Sequence, residues 1–252
     1  SGLTTPVESA ENGDLYRYLR RSDITAGRGR FAIAVSYLVR PPDATPGTSL
    51  SWNWANLILI ALAMEERTST PYESLAKILV FDPLEMYSAG FGRPDAARNA
   101  STPNTPSQPW GHSPAEKPLN PLQADLFVPP ALQCFHCSMP DFAAFVALHL
   151  RCAMRLPVSL LSADSAEKLC SCLADGEQST PGSWWVGSRD WAEGEVIWTH
   201  SRCDGFAVSV WVAPLKGKAY FSVTNVDGDV GLKVADDAVS STIRYDQAKN
   251  DV

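Results

Sequence analysis

The spacing of apolar residues changes its period once along the chain. Residues 29–38 read as a helix, and the run from Pro41 to Gly47 then breaks structure. From Trp54 to Glu65 the residues are apolar on every side, which predicts a buried core helix. Thr70-Pro71-Tyr72-Glu73 reads as the next helix start. Thr70 can cap it, Pro71 suits its first turn, and Glu73 completes a capping box. That helix is expected to run to about Val80 and to end before Pro83. Ser138-Met139-Pro140-Asp141 is a second capping box, opening an amphipathic helix over residues 142–154, and Ser162 caps another to about residue 174. Period two then takes over. Residues 195–200, 205–213 and 218–225 read as three strands, and 231–247 as a closing helix. Helices first and an antiparallel meander later predict an α+β fold. The expectation is one domain over 1–252, mostly helical over 1–190, with the meander and closing helix over 191–252. Between these helices, residues 93–130 hold nine of the 19 prolines, and a connection this long is usually functional or disordered.

Size and charge narrow the function. The 252 residues are 45% hydrophobic and 19% charged, enough for one well-buried domain. A net charge of −7 argues against a nucleic-acid partner. The longest apolar run, 57–64, is too short to cross a bilayer, so no transmembrane segment is expected. The chain opens Ser1-Gly2-Leu3 with no targeting segment, so no compartment can be read from it. Cys134-Phe135-His136-Cys137 has metal-like spacing, but its only available second half, Cys170 with Cys172, is poorly spaced. Free thiols on apolar helix faces, Cys152 and Cys170 among them, are therefore expected instead, with no metal and no cofactor. His149, beside Arg151, is expected in solvent. Asn99-Ala100-Ser101 is a glycosylation sequon that would matter only in a secreted protein.

Several stretches resemble the serine β-lactamase-related hydrolases: class C β-lactamases, D,D-peptidases and similar esterases. Ser1-Gly2-Leu3 is similar to the family's His-x-Ser-Gly-Leu stretch just after the nucleophile helix. Pro46-Gly47-Thr48 resembles the approach to its Tyr-x-Asn motif. Glu65 to Glu73 resembles a Glu-x-x-Thr-Gly-x-Pro-Tyr-Glu junction, and residues 81–86 a Phe-x-Pro-Leu-Gly-Met turn. Trp110-Gly111-His112 and residues 136–141 match one bacterial branch. Residues 200–205 resemble a His-Ser-Gly-x-Asp-Gly strand, and Thr224-Asn225 its closing Thr-Asn. Each motif alone is weak, and eight in order are strong.

The resemblance implies acyl transfer through a Ser-x-x-Lys nucleophile, a proton-relaying Tyr, and a Lys or His on an edge strand. Residue by residue, the machinery is incomplete. The nucleophile is expected upstream of Ser1. Ser74-Leu75-Ala76-Lys77 and Ser165-Ala166-Glu167-Lys168 fit the string but fall on other helices, and read as ordinary helix surface. Trp52 stands at the Tyr position and Trp54 at the Asn position, and an indole cannot relay a proton at neutral pH. His200 stands at the Lys/His position, and Arg202 replaces the Gly that lets substrate lie against the strand. His112, His200 and Cys203 remain as candidate substrate contacts. Ser69, Glu85 and Leu132 or Gln133 fall where the family keeps glycine for turns.

The chain is thus expected to be an inactive relative or the C-terminal part of such a hydrolase. The alternatives are an active esterase or peptidase once an upstream segment supplies Ser-x-x-Lys, and a non-enzymatic binding or assembly subunit. The edge of the strand running from Lys218 to Asn225 is expected to pair with an upstream segment or with another chain. A Trp52, Trp54, His200 and Arg202 cluster bordering one narrowed cleft is also expected.

Overall fold

The computed structural model describes residues 26–39, 41, 45, 55–92, 109–115, 117–119, 135–170, 184–203 and 205–250. Two helices open it, α1 (Ala26–Leu38) and α2 (Ala55–Thr68). They pack through Ile33, Ala34 and Tyr37 against Ile58, with Leu59 and Leu62 beside them. Helix α2 is not buried all round as its composition suggested. Ile58 and Ala61 are fully enclosed, but Ile60 is 56% exposed. Leu57, Ile60 and Met64 line an apolar groove shared with Leu75 and Leu79 of the next helix.

That helix, α3 (Tyr72–Ala76), is prolonged by a π-helical turn, Lys77–Phe81. The capping box expected at Thr70 and Glu73 does not form. Pro71 is the N-cap and makes no side-chain cap bond. Glu73 is drawn instead to the guanidinium of Arg30, 2.7 Å away, and Glu65 binds the same group at 2.5 Å. Glu65 also accepts the Tyr72 N–H at 2.8 Å, so it does the capping from the preceding helix. A buried charge outcompetes a local cap because Arg30, 1% exposed, has little water to satisfy it.

A two-residue ladder joins β1 (Gly90–Phe91) to β2 (Phe135–His136). Helix α4 (Met139–Ala153) follows, capped as expected by Ser138, whose hydroxyl accepts the Asp141 N–H at 3.3 Å. The return half of the box runs through Ser88. The Ser88 hydroxyl accepts the Ser138 N–H at 2.7 Å and donates to Asp141 at 2.6 Å. Ser162 caps α5 (Ala163–Cys170), accepting the Ser165 N–H at 3.2 Å.

The sheet has four antiparallel strands in sequence order, one more than expected: β3 (Trp185–Arg189), β4 (Gly194–Cys203), β5 (Phe206–Ala213) and β6 (Lys218–Thr224). Strand β3 escaped notice because it is short and interrupted by Gly187, so its alternation is faint. The meander therefore starts before residue 191. Helix α4 covers one face of the sheet, with Val146 and Phe142 against Ile197, Val210, Val212 and Phe221. The closing helix α6 (Gly228–Asn250) covers the other face, burying Ala235, Val239 and Ile243. The α+β architecture expected from the periodicity is present, as a sheet between two helical layers.

His149 is a correction. It was expected in solvent but is 6% exposed, its ring tilted between those of Phe145 and Trp184 at 4.5 and 5.0 Å. Burial lowers its pKa and favours the neutral ring, whose Nδ1–H reaches the Phe145 carbonyl at 3.0 Å. Cys152 and Cys170 meet in the α4–α5 core. Burial pushes the Cys170 thiol up to about 11.

Candidate active site

Strand parity sets the chemistry of β4. Trp198, His200 and Arg202 share one face, paired with Trp211, Ser209 and Ala207 of β5. Helix α6 lies on that face. His200 Nε2 sits 3.2 Å from Asp236 Oδ1 on α6. The same oxygen accepts the Ser209 hydroxyl at 2.8 Å and the Trp211 indole N–H at 2.7 Å. Burial works against the Asp236 charge, but the bonds from Trp211, Ser209 and His200 outweigh it and hold the carboxyl below the usual aspartate range. The His200 ring is flanked edge-on by Trp198 at 5.0 Å. Trp198 stacks on Trp211 at 5.2 Å and on Trp185 at 6.0 Å, so the indoles form a row across three strands. Arg202 binds Asp229, at the start of α6, at 2.9 Å.

Past Trp198, β4 runs beyond the reach of β3, whose first residue pairs there. Among the described residues, the backbone from Thr199 to Arg202 therefore carries no strand partner on that side. An extended acyl donor could lie along such an edge.

Three of the stretches that carried the family resemblance meet at one end of the sheet. Gly205 has φ +84°, and a Cβ there would stand 2.6 Å from the main chain of Gly111 and His112. Only glycine fits this contact. The His112 N–H donates to the Gly205 carbonyl at 3.1 Å, and the His112 carbonyl accepts the Asp227 N–H at 2.9 Å. The His112 ring places Nδ1 2.9 Å from the Asn225 carbonyl. A carbonyl only accepts, so this contact is a hydrogen bond in the form of the ring that carries a proton on Nδ1. The Asn225 side chain donates to the Trp110 carbonyl at 3.0 Å. His112 and Asn225 thus tie the loop at 109–119 to the sheet, a connection no local pattern in the sequence reports.

Cys203, at the end of β4, lies on the face opposite His200. Trp52 and Trp54 lie outside the described residues, as do Cys134, Cys172, the Asn99 sequon and Leu132 and Gln133. Ser74 and Ser165 are exposed on helix surfaces. Lys77 pairs with Asp82, and Lys168 with Asp164 at 2.8 Å, so each lysine is turned to a carboxylate. Ser69 and Glu85 adopt φ of +53° and +57°, the left-handed backbone that glycine favours. The described residues hold no cluster of three metal-binding side chains, and none of their helices is long and apolar enough to cross a membrane.

An antiparallel meander between helical layers is the arrangement of β-lactamase and penicillin-binding-protein folds, and His200 stands on an inner strand of the described sheet rather than on the edge strand expected for it, because β3 pairs with the first half of β4. The beta-lactamase family pattern matches residues 34–242, and the chain belongs to that family. No curated protein matches it by sequence. Among solved structures, it is similar to SurE (TM-score 0.67, 15% identity, covering 97% of this chain and 53% of that one). It is also similar to a penicillin-binding protein from Bacillus halodurans (0.66, 15%, 94% and 70%). A D-stereospecific amidohydrolase from Streptomyces sp. is a third (0.57, 16%, 82% and 58%). At these identities the likeness is one of fold. The chain spans about half the length of the first of these structures.

Proposed function

We infer that this chain is a β-lactamase-fold protein that does not form an acyl-enzyme, its catalytic-position histidine having been turned to hold the C-terminal helix. The observation that carries this is the contact of His200 with Asp236. In acyl transfer a group at this position must meet the substrate. Here its Nε2 is engaged on the α6 side, and the ring is packed edge-on against Trp198. The pairing of Arg202 with Asp229 on the same face supports the same reading. So do the two Ser-x-x-Lys strings, whose lysines face carboxylates rather than serines. An indole at Trp52 would supply no proton relay.

Incubation with a fluorescent penicillin and with a p-nitrophenyl ester, followed by intact mass, tests this. The expected mass is unchanged. A stoichiometric adduct on any serine would overturn the inference, and one on Ser74 or Ser165 would make those strings nucleophiles.

A second reading, a binding or assembly subunit, is favoured by one observation: among the described residues β6 pairs with β5 alone, so its other edge is a place where a further strand can add. On that reading the fold is kept as a scaffold and its edge is the functional surface.

A further inference from the structure

We propose that Cys152 on α4 and Cys170 on α5 are a dithiol pair that an external disulfide oxidises to a Cys152–Cys170 bond, locking the two helices together.

The pair lies on two facing stripes. Leu148 and Cys152 are one turn apart on α4, and Ala166 and Cys170 are one turn apart on α5. The four meet in one apolar cluster with Leu84, Leu161 and Leu169. The helices run antiparallel. Arg155, just past the end of α4, reaches Glu167 at 3.8 Å, whereas the Cys170 thiol lies 3.9 Å from the His149 carbonyl, further back along α4. That orientation aims the two sulfurs at each other. A helical side chain tilts towards the N-terminus of its own helix. Cys152 therefore leans back over the turn at His149, and Cys170 leans towards the end of α4. The His149 oxygen points along the axis towards the helix C-terminus, so it marks the level at which the two thiols converge.

The spacing of packed helices suits the bond. Helix axes pack about 8–10 Å apart, and Cα atoms sit about 2.3 Å from the axis. Facing Cα atoms are then about 3.5–5.5 Å apart. Even with an offset of about half a turn, the pair falls in the disulfide range of about 4.4–6.8 Å. Cys152 and Ala166 are small, which holds the helices at the near end of that spacing.

Exposure sets the order of the chemistry. Cys152 is 1% exposed and Cys170 is half-buried. Cys170, as its thiolate, attacks one sulfur of the external disulfide, forming a mixed disulfide and releasing the other half as a thiolate. Cys152 then loses its proton and attacks the Cys170 sulfur, releasing the second half. Two protein thiols are oxidised, one external disulfide is reduced to two thiols, and the two protons pass to the released thiolates. Burial, with the Cys152 sulfur adding to it, holds the Cys170 thiol at about 11, so the thiolate is scarce and closure is slow. The closed loop spans about 18 residues, and constraining it in the unfolded chain should raise Tm by about 6–12 °C.

Oxidation of the folded chain with oxidised glutathione, followed by intact mass and peptide mapping under denaturing, thiol-blocked conditions, tests this. The expected product is lighter by two hydrogens, carries a Cys152–Cys170 linked peptide, and melts higher than the reduced chain. Cys152→Ala should stop at the first step and accumulate glutathione on Cys170, with no rise in Tm. Cys170→Ala should leave Cys152 unmodified. The proposal is overturned if both thiols remain free after oxidation. It is overturned equally if the wild-type chain stops at the mixed disulfide, if Cys170 pairs with Cys172 instead, or if Tm rises as much in Cys152→Ala as in the wild type.

Discussion

Replacing Ser69 and Glu85 by glycine should stabilise this protein. Both residues hold left-handed backbone, at φ +53° and +57°, where a Cβ crowds the following carbonyl. The strain is about 1–2 kcal/mol per residue. Glycine removes it but returns about 0.5–1 kcal/mol by loosening the unfolded chain. The net gain is then about 0.5–1 kcal/mol at each site. Neither side chain offsets the strain by a contact of its own: both residues are exposed, and the bonds at Glu85 are made by its main chain to Asp82 and Tyr87. The two sites lie in separate turns, so the effects should add. For a chain of this size the pair should raise Tm by about 2–8 °C. Urea unfolding at fixed protein concentration should show a higher midpoint with an unchanged slope. Ser69→Ala keeps the Cβ and should gain nothing. A midpoint that is flat or lower in both glycine variants, or an equal gain from Ser69→Ala, would refute backbone strain as the reason.

Two further outcomes follow from the buried charges. Burial opposes the charge of Glu73, but its bond to Arg30 outweighs this, so its folded pKa is lowered. Its stabilising contribution is present above the usual glutamate value of about 4.3 and is lost as pH falls through the folded one. Arg30→Met leaves Glu65 and Glu73 facing each other, and should cost about 3–5 kcal/mol at pH 7. Protonation should then relieve that repulsion, so the variant should recover part of its deficit on acidification, and a deficit that widens at low pH in thermal melts would be inconsistent with this. Asp236→Ala orphans the fully buried Ser209 hydroxyl and the Trp211 indole, at about 3 kcal/mol. His200→Ala breaks one long hydrogen bond and the ring's edge contacts with Trp198 and Trp211 but orphans no buried donor, so it should cost less in denaturant titration. The reverse ranking would show that His200 holds more than the helix.

Much of the fold is written in local chemistry. Ser138 and Ser162 cap their helices because a hydroxyl three residues ahead of an N–H is a short-range fact. The three strands from residue 194 onwards are legible because alternation and turn residues coincide, with Gly217 at φ +62° closing the last hairpin. The glycine-like positions at 69 and 85 were legible only through the family resemblance, since Ser69 and Glu85 carry no glycine signal of their own. Strand β3 was not, because Gly187 thins a pattern only five residues long.

What the tertiary structure decided is long-range. Arg30 lies 35 and 43 residues from the carboxylates that hold it, so nothing local warns that Glu73 will abandon its cap. Sequence parity puts Trp198, His200 and Arg202 on one face of β4. It cannot say which helix covers that face, because either layer could supply the apolar contact. Only the packing of α6 brings Asp236 to His200 and fixes the histidine as a helix anchor.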